Sequence, residues 1–294
     1  MSLVSMIIRR HCKKADKIRD AMLVEPTNIV KHKNIKYGKY KDNVLDVYTP
    51  LTLTKPSPVI ISVHGGAWVY GDKEIYRHYC MDLVKHGFSV INFTYRLSPR
   101  YKFPCYLEDT VNVFNWLYEN YEKYNLDINN VFVVGDSAGA HILSLLISIL
   151  TKPELNNHYK FNLKYNYKFN AIGLNCGIYD MVKSMSEMDG ANAIMRTTMG
   201  HVCKKDELEF ISPITHVNNG YPPIFLMTSN KDFLLEQNQL FLKVIEENNI
   251  EHKFKCYGDD KLECFHCFHL DLNNSYGQQC NEDQCNFFKE YINK

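Results

Sequence analysis

The sequence predicts an α/β fold with a mainly parallel sheet, because short apolar runs alternate with segments of helical periodicity. Buried strands are indicated by apolar runs that close on glycine or polar residues: 58–63 (PVIISV), 88–95 (FSVINFTY) and 131–134 (VFVV). Between the last two runs, apolar residues recur at helical spacing over 107–124. Strands joined through helices need crossover connections, which are typical of parallel sheets.

The elements follow in order along the chain. Residues 1–27 are predicted to form a partly helical N-terminal arm that ends at Pro26, and 28–49 an antiparallel hairpin. The remaining predicted elements are helices over 73–86, 138–150 and 235–248, and strands over 171–176, 224–229 and 252–258. Residues 151–170 are expected to be a surface excursion and 177–210 a cap over a pocket. We expect residues 1–294 to form a single domain.

Composition narrows the function classes. The 294 residues carry a formal net charge of +1, which gives no support for a nucleic-acid partner. No apolar run approaches the roughly 18 residues that cross a bilayer, so no integral membrane segment is expected. At the N-terminus the apolar residues precede the basic ones, the reverse of an export signal. We therefore expect a cytoplasmic protein, with a short membrane-surface helix as the alternative for this segment.

Ten cysteines in a long chain without an export signal predict reduced thiols. The alternative is a structural zinc site built from the four cysteines of the tail: Cys264, Cys267, Cys280 and Cys285. Only the first pair has the spacing of zinc ligands. We therefore predict no metal.

Ser137 is the candidate nucleophile. It lies in the turn 135-GDSAG-139, between the predicted strand 131–134 and the predicted helix 138–150. Functional groups in an open parallel sheet lie beyond the carboxyl ends of its strands, and a G-x-S-x-G turn at that place presents the serine hydroxyl. An ordinary strand-to-helix turn is the alternative.

A glycine loop, 64-HGGAW-68, follows the predicted strand 58–63. Attack on an ester carbonyl creates an oxyanion, which needs preplaced donors. We predict that the N–H groups of Gly65, Gly66 and Ala138 are these donors. Considered alone, the loop also fits a simple strand-ending turn.

A serine nucleophile needs a base and an orienting acid, and in this type of fold the chain order is serine, acid, histidine. Asp232 follows the predicted strand 224–229, and His266 follows the strand 252–258. We assign them as acid and base, with His269 as the reserve base. Other candidates for the acid are Asp259, Asp260 and Glu236, whereas His201 and His216 precede Asp232 and are interpreted as surface or cap residues.

These motifs, with 44-VLDVYTP-50, 95-YRLSP-99 and 266-HCF-268, resemble the α/β-hydrolases of the hormone-sensitive-lipase type, from about residue 44 to 292. The resemblance implies a mostly parallel eight-stranded sheet flanked by helices, with a small cap. It matches Ser137, Asp232 and His266 to the triad, and it makes Tyr95 and Arg96 structural. The family commonly has glycine at the positions of Ser229 and Cys267.

The resulting hypothesis is a serine carboxylic ester hydrolase that acts on small or short-chain acyl esters, including aromatic acyl esters, without a cofactor. Trp68 and Tyr70 are candidate substrate-binding residues. An amidase or formamidase on the same triad is one alternative, and a non-catalytic ligand-binding member of the fold is another. The sequence leaves the oligomeric state open.

Overall fold

The computed structural model describes residues 2–294 and contains one eight-stranded sheet. The strands are β1 (Ile29–Lys36), β2 (Val44–Pro50), β3 (Ser57–Val63), β4 (Ser89–Thr94), β5 (Leu126–Asp136), β6 (Ala171–Asn175), β7 (Ile224–Ser229) and β8 (His252–Tyr257). Their spatial order is β1-β2-β4-β3-β5-β6-β7-β8. Strands β3 to β8 run parallel, while β1 and β2 pair antiparallel, and β2 also pairs antiparallel with β4. The predicted sheet and the predicted hairpin are confirmed.

The helices are α1 (Leu3–Arg19), α2 (Arg77–Lys85), α3 (Cys105–Asn120), α4 (Ala138–Thr151), α5 (Pro153–Tyr159), α6 (Met181–Glu187), α7 (Ala191–Met199), α8 (Lys205–Phe210), α9 (Leu235–Glu247) and α10 (Ser275–Lys289). No helix within residues 2–294 combines the length and the apolar character needed to cross a bilayer.

The core has two parts, one on each face of the sheet, because successive strand side chains point to opposite faces. In β3, Val59 and Ile61 pack in the cluster formed with α3, α4 and α9, whereas Ile60 packs in the cluster formed with α2 and α10. In β5, Val133 and Phe132 divide in the same way. A strand that is covered on both faces reads as a continuous apolar run, which is why the sequence predicted these strands well.

Several boundaries differ from the predictions. The N-terminal helix ends at Arg19, before Pro26, and α2 begins at Arg77 rather than at 73. The Asp72 side chain accepts hydrogen bonds from the N–H groups of Glu74 and Ile75, which stabilises a turn where the helix was expected. Helix α10 was not predicted at all, and the excursion at 151–170 contains the short helix α5.

The region 177–210 contains three short helices, α6, α7 and α8, and α6 contacts both of the others. The region follows β6, at the carboxyl ends of the parallel strands. Helix α1 reaches the same region, where the Thr197 hydroxyl of α7 donates to Ser2 Oγ across 2.9 Å. The N-terminal arm and the 177–210 segment are therefore neighbours over one edge of the sheet.

Candidate active site

Ser137 lies in a strained turn between β5 and α4. Its φ is 51° and its ψ is −116°, a conformation that costs a non-glycine residue about 1–3 kcal/mol. The Ser137 N–H donates to the Asn175 carbonyl, and the Ser137 carbonyl accepts from His141 N–H at the start of α4. A Cβ on Gly139 would lie 2.0 Å from the Val63 carbonyl oxygen, so only glycine lets α4 begin this close to β3. The turn therefore holds the Ser137 side chain in a fixed orientation at the carboxyl end of β5.

The glycine loop is held in place by side chains beneath it. His64 stacks on Tyr95 with ring centroids 3.9 Å apart, and its Nδ1–H donates to the Gly65 carbonyl across 2.7 Å. Burial lowers the pKa of His64 to about 4, so the ring is neutral near pH 7. The Tyr95 hydroxyl donates to the His64 carbonyl, in agreement with a structural role for Tyr95.

The Gly65 N–H is already used, because it donates to the Tyr76 hydroxyl oxygen across 2.8 Å. This contact contradicts the prediction that Gly65 is an oxyanion donor. The next two residues turn sharply, with φ of 112° at Gly66 and 51° at Ala67. The described residues provide no acceptor for the N–H groups of Gly66, Ala67 and Ala138. The available donors in the glycine loop are thus Gly66 and Ala67, one residue later than the predicted Gly65 and Gly66.

Asp232 and His266 meet as predicted from their order. His266 Nδ1 lies 2.7 Å from Asp232 Oδ1. Since an ionised carboxylate only accepts, Nδ1 carries the hydrogen and Nε2 is left as an acceptor. Asp232 also accepts from the Thr228 hydroxyl and from the Leu234 N–H. Burial alone raises the pKa of Asp232, but the hydrogen bond from His266 and the Leu234 N–H outweigh it and leave the pKa below its ordinary value.

The acid loop and the histidine loop are connected by backbone contacts. Lys231 N–H donates to the Cys264 carbonyl, and Cys264 N–H donates to the Asn230 side chain. The Ser229 hydroxyl donates to the Phe265 carbonyl across 3.2 Å, so serine adds a link where the family commonly has glycine. These bonds fix the imidazole relative to the carboxylate.

Two hydrogen bonds to Asp136 connect the serine turn to the histidine loop and to the glycine loop. The Cys267 thiol, next to His266, donates to Asp136 Oδ2, next to Ser137, across 3.2 Å. The Tyr76 hydroxyl donates to the same Asp136 oxygen across 2.7 Å. Burial raises the pKa of Asp136 despite these two donors. One buried carboxyl group thus joins the serine turn, the histidine loop and, through Tyr76, the glycine loop.

A small cavity of about 110 Å³ opens at Ser137. It is lined mainly by apolar side chains from the glycine loop, the acid loop and the cap: Ala67, Trp68, Ser137, Ala138, Ile178, Met181, Met185, Met188, Asp189, Ala191, Ile194, Phe233 and Leu234. The Phe233 ring, which lines this cavity, lies 4.3 Å from the His266 ring. The cavity is therefore lined by the serine, and Phe233 connects it to the histidine ring.

Trp68 and Tyr70 have different positions. Trp68 lines the cavity at Ser137 and packs edge-on against His141. Tyr70 lies outside that cavity, and its hydroxyl donates to Asp16 of α1 across 2.7 Å. The structure thus places Tyr70 in a contact with the N-terminal arm instead of at the substrate cavity.

The reserve candidates lie outside the triad. His269 is fully buried, packs edge-on against Tyr79 and has no hydrogen-bond partner among residues 2–294. Burial lowers the pKa of His269 to about 3, so its ring is neutral. His201 is exposed beside Glu207, and His216 contacts the Phe210 carbonyl. The three other acid candidates do not contact His266: Asp259 accepts N–H groups of its own turn, Asp260 is exposed, and Glu236 pairs with Lys183.

Within residues 2–294, one group of three potential metal ligands has its donor atoms within 4.8 Å of one another: Cys176, Asp232 and His266. Its carboxylate and imidazole are already hydrogen-bonded to each other, and burial raises the pKa of Cys176 to about 11. Asp232 and His266 are therefore engaged with each other, and Cys176 stays a protonated thiol, which is not the form that binds a metal. All ten cysteines are free thiols, and the four tail cysteines do not form such a group in the described part of the chain.

Sequence reasoning missed four contributors: Ala67, Tyr76, Asp136 and Phe233. Tyr76 and Asp136 act through tertiary hydrogen bonds between segments 60 residues apart, for which a single sequence carries no signal. Ala67 could have been predicted from the sequence, because its φ of 51° follows from the sharp bend that the two preceding glycines allow. Phe233 follows the predicted acid Asp232 in the chain and is 65% exposed. Its position next to Asp232 was therefore the only feature of the sequence that pointed to it.

The BD-FAE family model matches residues 45–242. LipM of Mycobacterium tuberculosis, described as a probable carboxylic ester hydrolase, is 27% identical over 216 residues, which are 70% of this chain and 49% of LipM. The esterase LipQ of the same organism is 27% identical over 215 residues, which are 70% of this chain and 50% of LipQ. This chain therefore spans about half the length of these curated relatives.

Two solved structures are similar over nearly the whole chain. Esterase B from Lactobacillus rhamnosis, in an inhibited crystal form, has a TM-score of 0.87 and 23% identity, with 96% of this chain and 93% of that chain covered. EstE1, a carboxylesterase from a metagenomic library, has a TM-score of 0.76 and 17% identity, with both chains fully covered. At these identities the likeness shows the fold, which is that of the α/β-hydrolases, as predicted. The family model covers well over half of the chain, and the chain therefore belongs to the BD-FAE family.

Proposed function

We propose that this protein is a serine carboxylic ester hydrolase, with Ser137 as nucleophile, His266 as base and Asp232 as acid. The observation that carries the proposal is the 2.7 Å hydrogen bond between Asp232 and His266, together with a cavity lined by Ser137 and by Phe233, the chain neighbour of Asp232. The names of LipM and LipQ, both ester hydrolases, support the same reaction class.

The chemistry follows from the hydrogen-bond directions. Because His266 Nδ1–H is held by the Asp232 carboxylate, Nε2 is free to take the Ser137 proton as the hydroxyl attacks an ester carbonyl. The imidazolium that forms is stabilised by the carboxylate. His266 then returns the proton to the leaving alcohol, and water releases the acyl group by the same route. Three side chains thus suffice for the reaction. Ser137 forms the covalent bond to the acyl group, His266 carries the proton, and Asp232 stabilises the charged ring.

The developing oxyanion needs donors that have no other acceptor. We assign this role to the N–H groups of Gly66, Ala67 and Ala138 and assign Gly65 a supporting role, because its N–H is bonded to Tyr76. Removing one such donor from a serine hydrolase typically lowers kcat by about 10²–10³.

The substrate is proposed to be a small-molecule ester with an apolar acyl group of limited length. The cavity at Ser137 is about 110 Å³, and the three methionines Met181, Met185 and Met188 contribute to its cap side. Methionine side chains adapt to irregular apolar shapes. We include α1 and the 177–210 segment as cap elements of a single catalytic domain, and the free thiols support a reducing, cytoplasmic location.

Covalent labelling with a fluorophosphonate tests the proposal. The wild-type protein should be labelled at one serine and lose ester hydrolysis in step with labelling, whereas Ser137→Ala should not be labelled and should lose kcat by on the order of 10⁶. The matched control is Ser144→Ala. Ser144 is a buried serine of α4 whose hydroxyl donates to the Ala140 carbonyl within the same helix, so this variant should still be labelled at Ser137. Labelling of Ser137→Ala would refute the nucleophile assignment.

Matched ester and amide substrates distinguish the ester hydrolase from an amidase on the same triad. The proposal requires faster turnover of the ester. A protein that is neither labelled nor active on either substrate would instead be a binding protein.

A further inference from the structure

The N-terminal helix exposes an unusual share of the protein's large apolar side chains. The strongly exposed ones within residues 2–294 are Leu3, Met6, Ile7, Ile18, Met22, Val24, Leu51, Tyr165, Val202, Phe233, Leu262 and Phe265. Half of them lie within residues 3–24, on α1 or directly after it. Leu3, Ile7 and Ile18 are 69%, 60% and 69% exposed, so these side chains contribute little to the core of the protein. Clustered exposed apolar side chains mark an interaction surface.

The same face of α1 carries the helix's free cations. At 100° per residue, Leu3, Met6, Ile7 and Ile18 fall on the same side as four exposed basic residues: Arg10, Lys13, Lys14 and Lys17. No carboxylate lies on this side. The only acidic residue within α1 is Asp16, which faces the protein and accepts from Arg19 and from Tyr70. The outward face therefore combines apolar side chains with Arg10 and Lys14. Lys13 and Lys17 lie at its margin, where they also border a cleft lined by carboxylates that include Asp42 and Asp72.

The opposite face already holds α1 to the protein. Arg9 Nε donates to the Val69 carbonyl across 2.7 Å, and Ser5 is fully buried. Arg19 donates to the Ile75 carbonyl across 3.1 Å. The helix is thus fixed by its inner face, and its outer face is left for another contact.

The helix also lies along the edge of the sheet that carries the candidate active site. Near its first turn, Ser2 contacts Thr197 of α7, the helix that lines the Ser137 cavity with Ala191 and Ile194. At its last residue, the Arg19 carbonyl accepts from Asn273, in the segment that follows His266. A partner bound to the outer face of α1 would meet the protein beside the entrance to the cavity.

We propose that the outward face of α1 binds an anionic lipid surface. Leu3, Met6 and Ile7 enter the boundary between headgroups and acyl chains, while Arg10 and Lys14, flanked by Lys13 and Lys17, lie over the anionic headgroups. An interfacial helix binds through this combination of buried apolar area and positive charge. A protein partner with an acidic groove is less well matched, because three apolar side chains precede the cations along the helix instead of alternating with them. The proposal does not depend on the esterase assignment.

Sedimentation with lipid vesicles tests the inference on the full chain. Binding should be stronger to phosphatidylcholine vesicles that contain phosphatidylserine than to phosphatidylcholine alone, and it should fall as salt is added. A cation near an anionic surface is worth roughly fivefold in affinity, so Arg10→Gln with Lys14→Gln should weaken binding by about 25-fold. Leu3→Ser with Ile7→Ser should weaken it by at least about tenfold.

The matched control is Leu51→Ser with Lys55→Glu, a pair of exposed residues at the opposite edge of the sheet, before β3. This variant should bind vesicles like the wild type. All variants should hydrolyse a water-soluble ester at the wild-type rate. Absence of binding to anionic vesicles, equal weakening by the control, or vesicle binding that Leu3→Ser with Ile7→Ser does not weaken would each overturn the proposal.

Discussion

The thiol of Cys267 donates a hydrogen bond to the buried carboxyl group of Asp136, across 3.2 Å. Each of these residues is the chain neighbour of a candidate catalytic residue, His266 in one case and Ser137 in the other. The bond therefore fixes the distance between the histidine loop and the serine turn. A glycine, common in the family at this position, has no side chain with which to form it.

Replacing this thiol should disturb both folding and catalysis. Cys267→Ala keeps a Cβ at a residue whose φ is 58° but removes a donor from buried Asp136. We expect the free energy of unfolding to fall by about 1–3 kcal/mol, with a lower kcat and an unchanged KM. Denaturant unfolding and steady-state kinetics measure these effects. Cys256→Ala, at an exposed cysteine, is the control and should change neither quantity. If Cys267→Ala had as little effect as this control, the hydrogen bond between Cys267 and Asp136 would contribute to neither stability nor catalysis.

The two candidate histidines should respond differently to substitution. His266→Ala removes the partner of Asp232 and should lower kcat by on the order of 10⁴–10⁶. His269→Leu removes a neutral ring that has no hydrogen-bond partner among the described residues, so kcat should stay within about threefold of wild type. Kinetics of both variants on one ester decide the assignment. The opposite ranking would give the role of base to His269.

Tyr76→Phe tests the supporting role given to Gly65. The Tyr76 hydroxyl accepts from the Gly65 N–H and donates to Asp136, so its loss leaves the buried Gly65 N–H without an acceptor and removes one of the two donors to Asp136 Oδ2. We expect a stability loss of about 1–3 kcal/mol and a fall in kcat from a loosened glycine loop. Tyr165→Phe, at an exposed tyrosine, should leave both unchanged. An increase in kcat for Tyr76→Phe would mean that the freed Gly65 N–H is itself an oxyanion donor.

Met185→Ala should change the preferred acyl length. Met185 lines the cavity of about 110 Å³ from α6, so truncation of its side chain lengthens the space available to the acyl group. We expect the optimum of kcat/KM in a series of p-nitrophenyl esters to move toward longer chains. Val182→Ala, on the same helix but outside the cavity lining, is the control. An unchanged optimum would show that the acyl group lies elsewhere.

Buried histidines make the stability of the fold depend on pH. Burial lowers the pKa of His64 and His141 to about 4 and that of His269 to about 3, below the ordinary value of 6.5. Below pH 6.5 the unfolded chain binds protons that the folded chain does not, so stability is lost as the pH falls toward 4. The loss between pH 7 and 5 should be roughly 2 kcal/mol for each ring.

Urea unfolding at both pH values measures this slope. His269→Leu should remove roughly 2 kcal/mol of the loss between pH 7 and 5, whereas His11→Gln, at an exposed histidine, should leave the loss unchanged. A stability that is constant from pH 7 to 5 would contradict the neutral, buried state of these rings.

The sequence predicted best what local pattern determines. The runs 58–63 and 131–134 are buried on both faces of the sheet, and their apolar character alone identifies them as strands. The order serine, acid, histidine was enough to bring together Asp232 and His266, because loops after neighbouring parallel strands meet at one edge. The turn at Ser137 needed only its two glycines to be recognised.

What the sequence did not predict depends on contacts between distant segments. Gly65 was assigned as a donor because nothing local shows that the Tyr76 hydroxyl takes its N–H. Tyr70 was placed at the substrate cavity, although its partner Asp16 lies 54 positions earlier on α1. Helix α10 was overlooked because its polar residues, several of them buried, conceal its apolar face. In each case a tertiary partner decides the role of the residue.

Trp68 gives the protein a built-in fluorescent reporter. The chain has two tryptophans, and the other, Trp116, packs against Tyr124 and does not line the cavity at Ser137. In a Trp116→Phe background the remaining indole emission would come from the wall of the cavity at Ser137 alone. Binding of an acyl group in this cavity and its release could then be followed by fluorescence in real time. No chromogenic leaving group would be needed, so natural esters could serve as substrates in transient kinetics.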